Sequence, residues 1–284
     1  MNILISGCTG FIGSSILNRL KNNNKVYIIL RNKIKKSQFN NKNIRKIYFS
    51  NYSELLKKLK KIKVDLVIHT ATHYSKFHNL NDLENFSNSN ILLGNIILEN
   101  LKIMNVKKFI NFSTVWEDYN AIQNNSFNLY SAYKKAFSII LNYYKKKEIQ
   151  IKFYELMISD TFGSNDKREK IINVIRKNYK KNISTKIISK NLFINLLNVE
   201  DVVDAVVLIS KKKIKPGKYL IKNPVNFNIS NIIQKINYSS FKKIKIKWLS
   251  KKLIKEKTLT YNALKSWKPT KSNINDIVKI IKNN

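Results

Sequence analysis

Ser6-Gly7-Cys8-Thr9-Gly10-Phe11-Ile12-Gly13 follows the apolar run Asn2–Ser6 directly and opens an amphipathic stretch over residues 11–21. Strand, glycine loop and helix in that order are the setting in which three glycines at this spacing hold a dinucleotide pyrophosphate. Gly7 permits the tight turn, Gly10 lets the backbone approach phosphate, and Gly13 lets the helix pack close to the strand. The helix N-terminus adds unpaired N–H groups and a partial positive charge. Three of the six glycines in the chain lie here, which weighs against an ordinary turn. Thr9, Phe11 and Ile12 complete the expected cradle, and Cys8 is expected to pack rather than do redox chemistry.

Beyond the loop, short apolar runs alternate with helical stretches. Strands are predicted at residues 25–30, 44–49, 64–69, 107–113 and 150–157, and helices at 54–62, 82–104 and 129–147. Such alternation predicts an α/β fold, a doubly wound parallel sheet with helices on both faces. After Asp160 the pattern loosens: a helix over 166–181, a strand over 192–197 and a helix over 200–210 opened by acidic residues. Residues 1–160 are therefore expected to form the dinucleotide-binding domain, with a later sheet strand near 192–210. Residues 161–284 are expected to form mostly a smaller, interleaved C-terminal substrate lobe.

Dinucleotide folds place a ribose-binding acid after the second strand, about 20 residues past the loop. Arg31 stands there instead, followed by Asn32 and Lys33. A guanidinium suits a 2′-phosphate, which favours NADP, with NAD still possible; the alternative for Arg31 is a solvated surface residue. Further along, Tyr130-Ser131-Ala132-Tyr133-Lys134 puts a tyrosine and a lysine on one helical face, where the ammonium is expected to favour the phenolate. The preceding strand ends in Ser113-Thr114, at the sheet edge where ligands bind in such folds.

Together these residues resemble the NAD-dependent epimerase/dehydratase family, the extended short-chain dehydrogenases/reductases with a Rossmann domain, over nearly the whole chain. Asp65-Leu66-Val67-Ile68-His69-Thr70-Ala71 is similar to its fourth-strand motif and Asn90 to its structural asparagine. Asn198-Val199-Glu200-Asp201-Val202 and Trp267-Lys268-Pro269 are similar to its late motifs. The resemblance implies that Thr114, Tyr130 and Lys134 are catalytic: Thr114 orients the substrate oxygen, Tyr130 is the acid/base, and Lys134 holds the nicotinamide ribose. It also implies that Thr70, Ala71 and Thr72 line the cofactor.

The family's dehydratases follow their Thr with an Asp-Glu pair, where this chain has Val115 and Trp116. Glu117 and Asp118 come two residues later and are expected as loop or sugar-contact groups. Residues 113–120, 128–130 and 160–168 are similar to the branch of reductases acting on CDP-linked 4-keto-dideoxysugars. That implies a nucleotide-sugar 4-ketoreductase with Tyr74, Trp116, Asp160 and Arg168 at the substrate. The alternative for Arg168 is a helix-surface pair with Glu169 or Asp166, and His73 or His78 either reach the sugar or are loop residues. Alternative functions are an NAD-dependent 4-epimerase and a non-catalytic NADP-binding member. A homodimer packed through the helices 82–104 and 129–147 is implied too.

Composition bounds the rest. Apolar residues form 43% of the chain, so it is expected to be globular. The formal charge of +37 invites a nucleic-acid reading, but five of the 54 basic residues are Arg and the other 49 are Lys. Lysine spread over the whole length with few guanidinium forks reads as solvated faces, and nucleic acid is not the expected partner. No apolar run reaches the length of a membrane span. One cysteine forms no internal disulfide, and with a strand starting at Asn2 a cytoplasmic protein without a leader is expected. Three histidines with no ligand spacing give no metal site.

Overall fold

The computed structural model describes residues 1–31, 39–75 and 78–282; Asn32 and Lys33, named above beside Arg31, lie outside them. The chain opens with β1 (Asn2–Ser6), α1 (Phe11–Leu20), β2 (Lys25–Arg31), β3 (Ile44–Phe49), α2 (Tyr52–Leu59) and β4 (Leu66–His69). It continues with α3 (Leu80–Ser87), α4 (Leu93–Glu99), β5 (Lys108–Thr114), α5 (Leu129–Lys147), β6 (Lys152–Ile158) and β7 (Asp160–Phe162). Then come α6 (Ile171–Lys181), β8 (Thr185–Ile187), β9 (Leu192–Ile194), β10 (Leu196–Asn198), α7 (Val199–Lys211) and β11 (Gly217–Ile221). Last are β12 (Phe227–Asn228), α8 (Ile229–Tyr238), β13 (Ile246–Trp248), β14 (Ile254–Lys255), β15 (Asn262–Ala263) and α9 (Ile274–Lys282).

The main sheet has eight strands in the order β15-β11-β6-β5-β4-β1-β2-β3, every pairing parallel. The strand sequences explain why both faces are covered. Along β1, Ile3 and Ile5 turn to the face packed by α1 and α7, and Leu4 to the face packed by α2, α4 and α5. A strand apolar on both sides is stable only between two helical layers. The fold is thus the doubly wound α/β sheet expected. The order reverses between β1 and β4, which opens a crevice beyond their carboxyl ends.

A second core, where α6, α8 and α9 bury Ile172, Ile175, Ile232, Ile236, Ile277 and Ile281, forms a lobe beside those ends. The later strands that return to the main sheet are β11 and β15, not one near 192–210. The run 192–197 is instead broken at Asn195, whose buried amide turns inward to the carbonyls of Asn223 and Val225 at 2.9 and 3.2 Å. The helix expected over 82–104 is α3 and α4 joined by a π turn, Asn88–Leu92. Within that turn Asn90 accepts the His73 N–H at 2.6 Å and donates to the His73 carbonyl at 3.1 Å. The helix expected from Asp166 starts only at Ile171, because Asp166 and Arg168 tie a side-chain knot before it.

Candidate active site

At the switch point Gly7 has φ +78, a conformation glycine adopts freely, and its carbonyl accepts the Gly10 N–H at 3.0 Å. Gly10 caps α1 with no side-chain bond, leaving the first N–H groups of the helix directed into the crevice. A Cβ on Gly13 would stand 2.3 Å from the Gly7 carbonyl oxygen and 2.5 Å from Thr70 Oγ1. Loop, helix and the end of β4 are therefore in direct backbone contact, further tied by the Thr70 hydroxyl donating to the Ser6 carbonyl at 2.7 Å. Cys8 is fully buried.

This packing forms one wall of a cleft of about 740 Å³. Gly7, Thr9 to Gly13, Arg31 and Thr70 to Thr72 all line it, as do Tyr74 and Arg168. The glycines let loop, helix and strand close up behind the cleft and leave backbone N–H groups at its wall, so the residues present fit a dinucleotide pyrophosphate. Arg31 ends β2 at one extremity, exposed, with its guanidinium donating to Ser89 Oγ at 3.1 Å. His73 also lines the cleft, its ring nitrogen 2.9 Å from Asp82. His78 lies edge-on to Phe86.

Tyr130 stands beside the other extremity rather than in its lining, behind Tyr74, and Thr114, Lys134, Trp116 and Asp160 are likewise outside the lining. Asn128 caps α5 in a reciprocal box with Ser131, so Tyr130 sits in the first turn and Lys134 one turn later. Tyr130 is half-buried, with the Tyr74 ring edge-on at 5.3 Å between centroids. Burial pushes its phenol up, with the Arg168 charge and the Thr72 hydroxyl offsetting part of this. The expected drift toward phenolate is therefore reversed in this structure: desolvation outweighs any nearby ammonium. Lys134 is set back from the cleft wall, 4% exposed, and burial pushes its ammonium down to about 8. Thr114 ends β5, 7% exposed, its hydroxyl accepting the Trp116 N–H at 3.3 Å.

Three of the four side chains expected at the substrate are drawn together by a residue that sequence reasoning missed. The Lys170 ammonium lies 2.8 Å from the Asp160 carboxylate, 3.7 Å from the centre of the Trp116 ring and 5.4 Å from that of Tyr74. In a chain with this many lysines no spacing singles it out. Arg168 makes the Asp166 pair of its alternative reading and also lines the cleft. It is clamped by Asp166 at 2.8 Å and by Thr161, and its guanidinium still caps the Phe11 ring at 4.6 Å on the cleft wall.

Glu117 and Asp118, expected as loop or sugar contacts, are 0% and 1% exposed and lie inside the protein. Asp118 pairs with Lys135 at 2.9 Å and accepts the Tyr261 hydroxyl at 2.5 Å. The late motifs bind each other: buried Asp201 accepts the Thr270 and Lys271 N–H groups, and Trp267 donates to the Asp201 carbonyl at 2.9 Å. Among the described residues no group of His, Cys, Asp and Glu could hold a metal, and no helix is long and apolar enough to cross a membrane.

The model of the NAD dependent epimerase/dehydratase family matches residues 3–222. A CDP-abequose synthase of Yersinia pseudotuberculosis is 31% identical over 212 residues, covering 74% of this chain and 73% of the relative. That of Salmonella muenchen is 24% identical over 84% of this chain and 82% of its own length. Among solved structures, the UDP-glucose 4-epimerase of Thermus thermophilus in complex with NAD superposes with a TM-score of 0.80 at 17% identity, covering 100% of this chain and 99% of that one.

Proposed function

The chain belongs to the NAD dependent epimerase/dehydratase family, and from that premise we propose that it reduces the C-4 ketone of a nucleotide-linked deoxysugar, of the CDP-4-keto-3,6-dideoxyhexose type, with NADPH. The observation that carries this reading is the cleft itself, which joins a glycine cradle at one end to Tyr74, Arg168 and the flanking Tyr130 at the other. Bound in the cradle, the cofactor supplies the hydride. Burial keeps Tyr130 protonated at neutral pH, the form needed to give a proton to the sugar oxygen. Thr114 donates a hydrogen bond to the same oxygen, and Lys134 faces the nicotinamide ribose and steadies the negative charge that proton loss leaves on Tyr130. Arg168 and Lys170 offer positive charge to the diphosphate, while Tyr74 and Trp116 give flat apolar faces to the sugar. Val115 and Trp116 stand where a dehydratase needs its acid and base, so reduction fits the residues better than dehydration.

Arg31 favours NADPH over NADH, since its guanidinium can pair with a 2′-phosphate. The same reading includes a cytoplasmic homodimer. Ile139 and Tyr143, one turn apart on α5 and 64% and 60% exposed, would pack with Leu80 and Leu83 of α3 against a second copy.

The test is to incubate the protein with NADPH and CDP-, dTDP-, UDP- and GDP-4-keto-deoxysugars and follow absorbance. Turnover with at least one sugar is expected, and Tyr130→Phe should lower kcat by about 10²–10⁴-fold without unfolding the protein. Purified protein that carries tight NAD and interconverts C-4 epimers with no net consumption would establish the epimerase instead. Steeply salt-dependent RNA binding with no NADPH consumption would establish a non-catalytic role.

A further inference from the structure

Behind Tyr130 the sheet carries a row of polar side chains that the proposed reaction does not use. Ser6, His69, Asn111, Glu155 and Lys218 are register partners across β1, β4, β5, β6 and β11. Partners in register point to one face, and here it is the face that α5 covers. Glu117 enters the same layer from the turn after β5. Its carboxylate accepts the hydroxyl of Ser113, the neighbour of Thr114, and lies 3.5 Å from Ser138 Oγ. Ser138 also donates to Glu155. The Lys218 ammonium is 3.3 Å from both carboxylates, and Lys145 is 3.3 Å from Glu155.

Ser138 is one helical turn beyond Lys134, on the same side of α5. Two carboxylates, 0% and 1% exposed, therefore bracket the part of the helix that bears the buried ammonium. Carboxylates are not buried in such a place without cations to compensate them. Lys134 makes no hydrogen bond or ion pair with another described residue, so its stabilisation inside the protein comes through the field of its neighbours.

We propose that Glu117 is a positioning residue of this active site: together with Glu155 it forms a buried counter-charge that holds the Lys134 ammonium beneath Tyr130 and sets how tightly that ammonium keeps its proton. The proposal rests on reading Lys134 as the ammonium that serves Tyr130. His69 from β4, Glu117 from the turn after β5 and Glu155 from β6 are the groups coupled to Lys134, while Lys218 from β11 meets both carboxylates and Lys145 of α5 meets Glu155. His69, pushed down to about 3 chiefly by burial, is neutral and contributes no charge at ordinary pH. Burial drives Lys134 down, and Glu117 and then Glu155 pull it back up. The two acids are not equivalent. Glu155 contacts two lysines, which bring it below its ordinary range although burial pushes it up; Glu117 contacts Lys218 alone and burial leaves it raised. Of the two, Glu117 pulls the Lys134 ammonium up the more strongly, so removing its carboxylate should have the larger effect.

The test reads Lys134 directly and needs neither cofactor nor sugar. Trace acetylation with acetic anhydride over a pH series, with peptide mass spectrometry, gives the midpoint at which the Lys134 amine becomes free. Glu117→Gln keeps shape and the bonds to Ser113 and Ser138 while removing the charge. It should lower the midpoint by about one pH unit, and Glu155→Gln by less. A midpoint that Glu117→Gln leaves in place, or that Glu155→Gln moves further, overturns the proposal, as does a Lys134 that never labels. Should Glu117→Gln fail to fold, Ser113→Ala removes the anchor of the Glu117 carboxylate and should move the midpoint in the same direction; no movement overturns the proposal. NADPH consumption by the wild type is followed in parallel. If no sugar is reduced, the ketoreductase reading fails while the labelling still decides the role of Glu117.

Discussion

The two ends of the cleft are built by opposite means. At the glycine end eight consecutive residues, Ser6 to Gly13, make the site almost entirely from backbone, and the neighbouring strand is held close because no Cβ stands in the way. Around Tyr130 the polar groups are side chains from β5, α5, β6 and β11, and the Glu117–Lys218 contact joins positions 101 residues apart. The first kind of site tolerates change in every side chain and fails when a glycine gains one. The second tolerates changes of backbone neighbours and fails when a charge is lost from a layer where water cannot replace it.

The largest expected effect breaks the glycine end. Gly13→Ala forces a Cβ against the Gly7 carbonyl and Thr70, neither of which has room to move. It should cost about 3 kcal/mol in urea denaturation and weaken dinucleotide binding, read by fluorescence titration, by more than about tenfold. Normal binding by a folded Gly13→Ala protein would show that this end is less rigid than its contacts imply. A smaller effect sharpens which cofactor the backbone cradle serves. Arg31→Ala removes a single exposed guanidinium, so NADPH should bind about tenfold more weakly while NADH binds as before. Equal losses for both would remove Arg31 from cofactor choice.

The smallest effect carries the side-chain principle into the second lobe. Glu256 accepts the Asn195 N–H at 2.8 Å through one oxygen, while the other is buried with no hydrogen-bond partner. Burial pushes this carboxyl up to about 7 from an ordinary 4.5. A raised folded value means that the folded state holds the proton more tightly than the unfolded chain. The stability so gained is fully present below 4.5 and is lost as pH rises through 7. Thermal melts of Glu256→Gln should therefore lack a decline that the wild type shows across that window, by roughly 2–4 °C for each kcal/mol involved. Parallel curves for the two proteins would contradict the assignment.

Asn2–Ser6, Phe11–Leu20 and Leu129–Lys147 were legible because each is a local pattern: an apolar run, a glycine spacing with a helix behind it, a capped amphipathic stretch. So were the three glycines and the placing of Tyr130 and Lys134 one turn apart on α5, which depend on positions a few residues apart. The π turn at Asn90, the break at Asn195 and the return of β11 to the sheet were not, since each follows from a buried amide or a strand finding partners far along the chain.

By itself, then, the sequence determined the doubly wound sheet, the glycine cradle and the chemical identity of the groups at its far end. Local periodicity and short spacings are enough for that, because backbone geometry repeats over a few residues. Tertiary structure alone decided which charges are buried together. It took Glu117 and Asp118 into the interior, put Lys170 against Asp160, Trp116 and Tyr74, and gathered Glu117 and Glu155 around Lys218. In a chain with 54 basic residues no spacing distinguishes a solvated lysine from one held between buried carboxylates. Desolvation makes that distinction, and it exists only once the strands and helices have closed around the side chains.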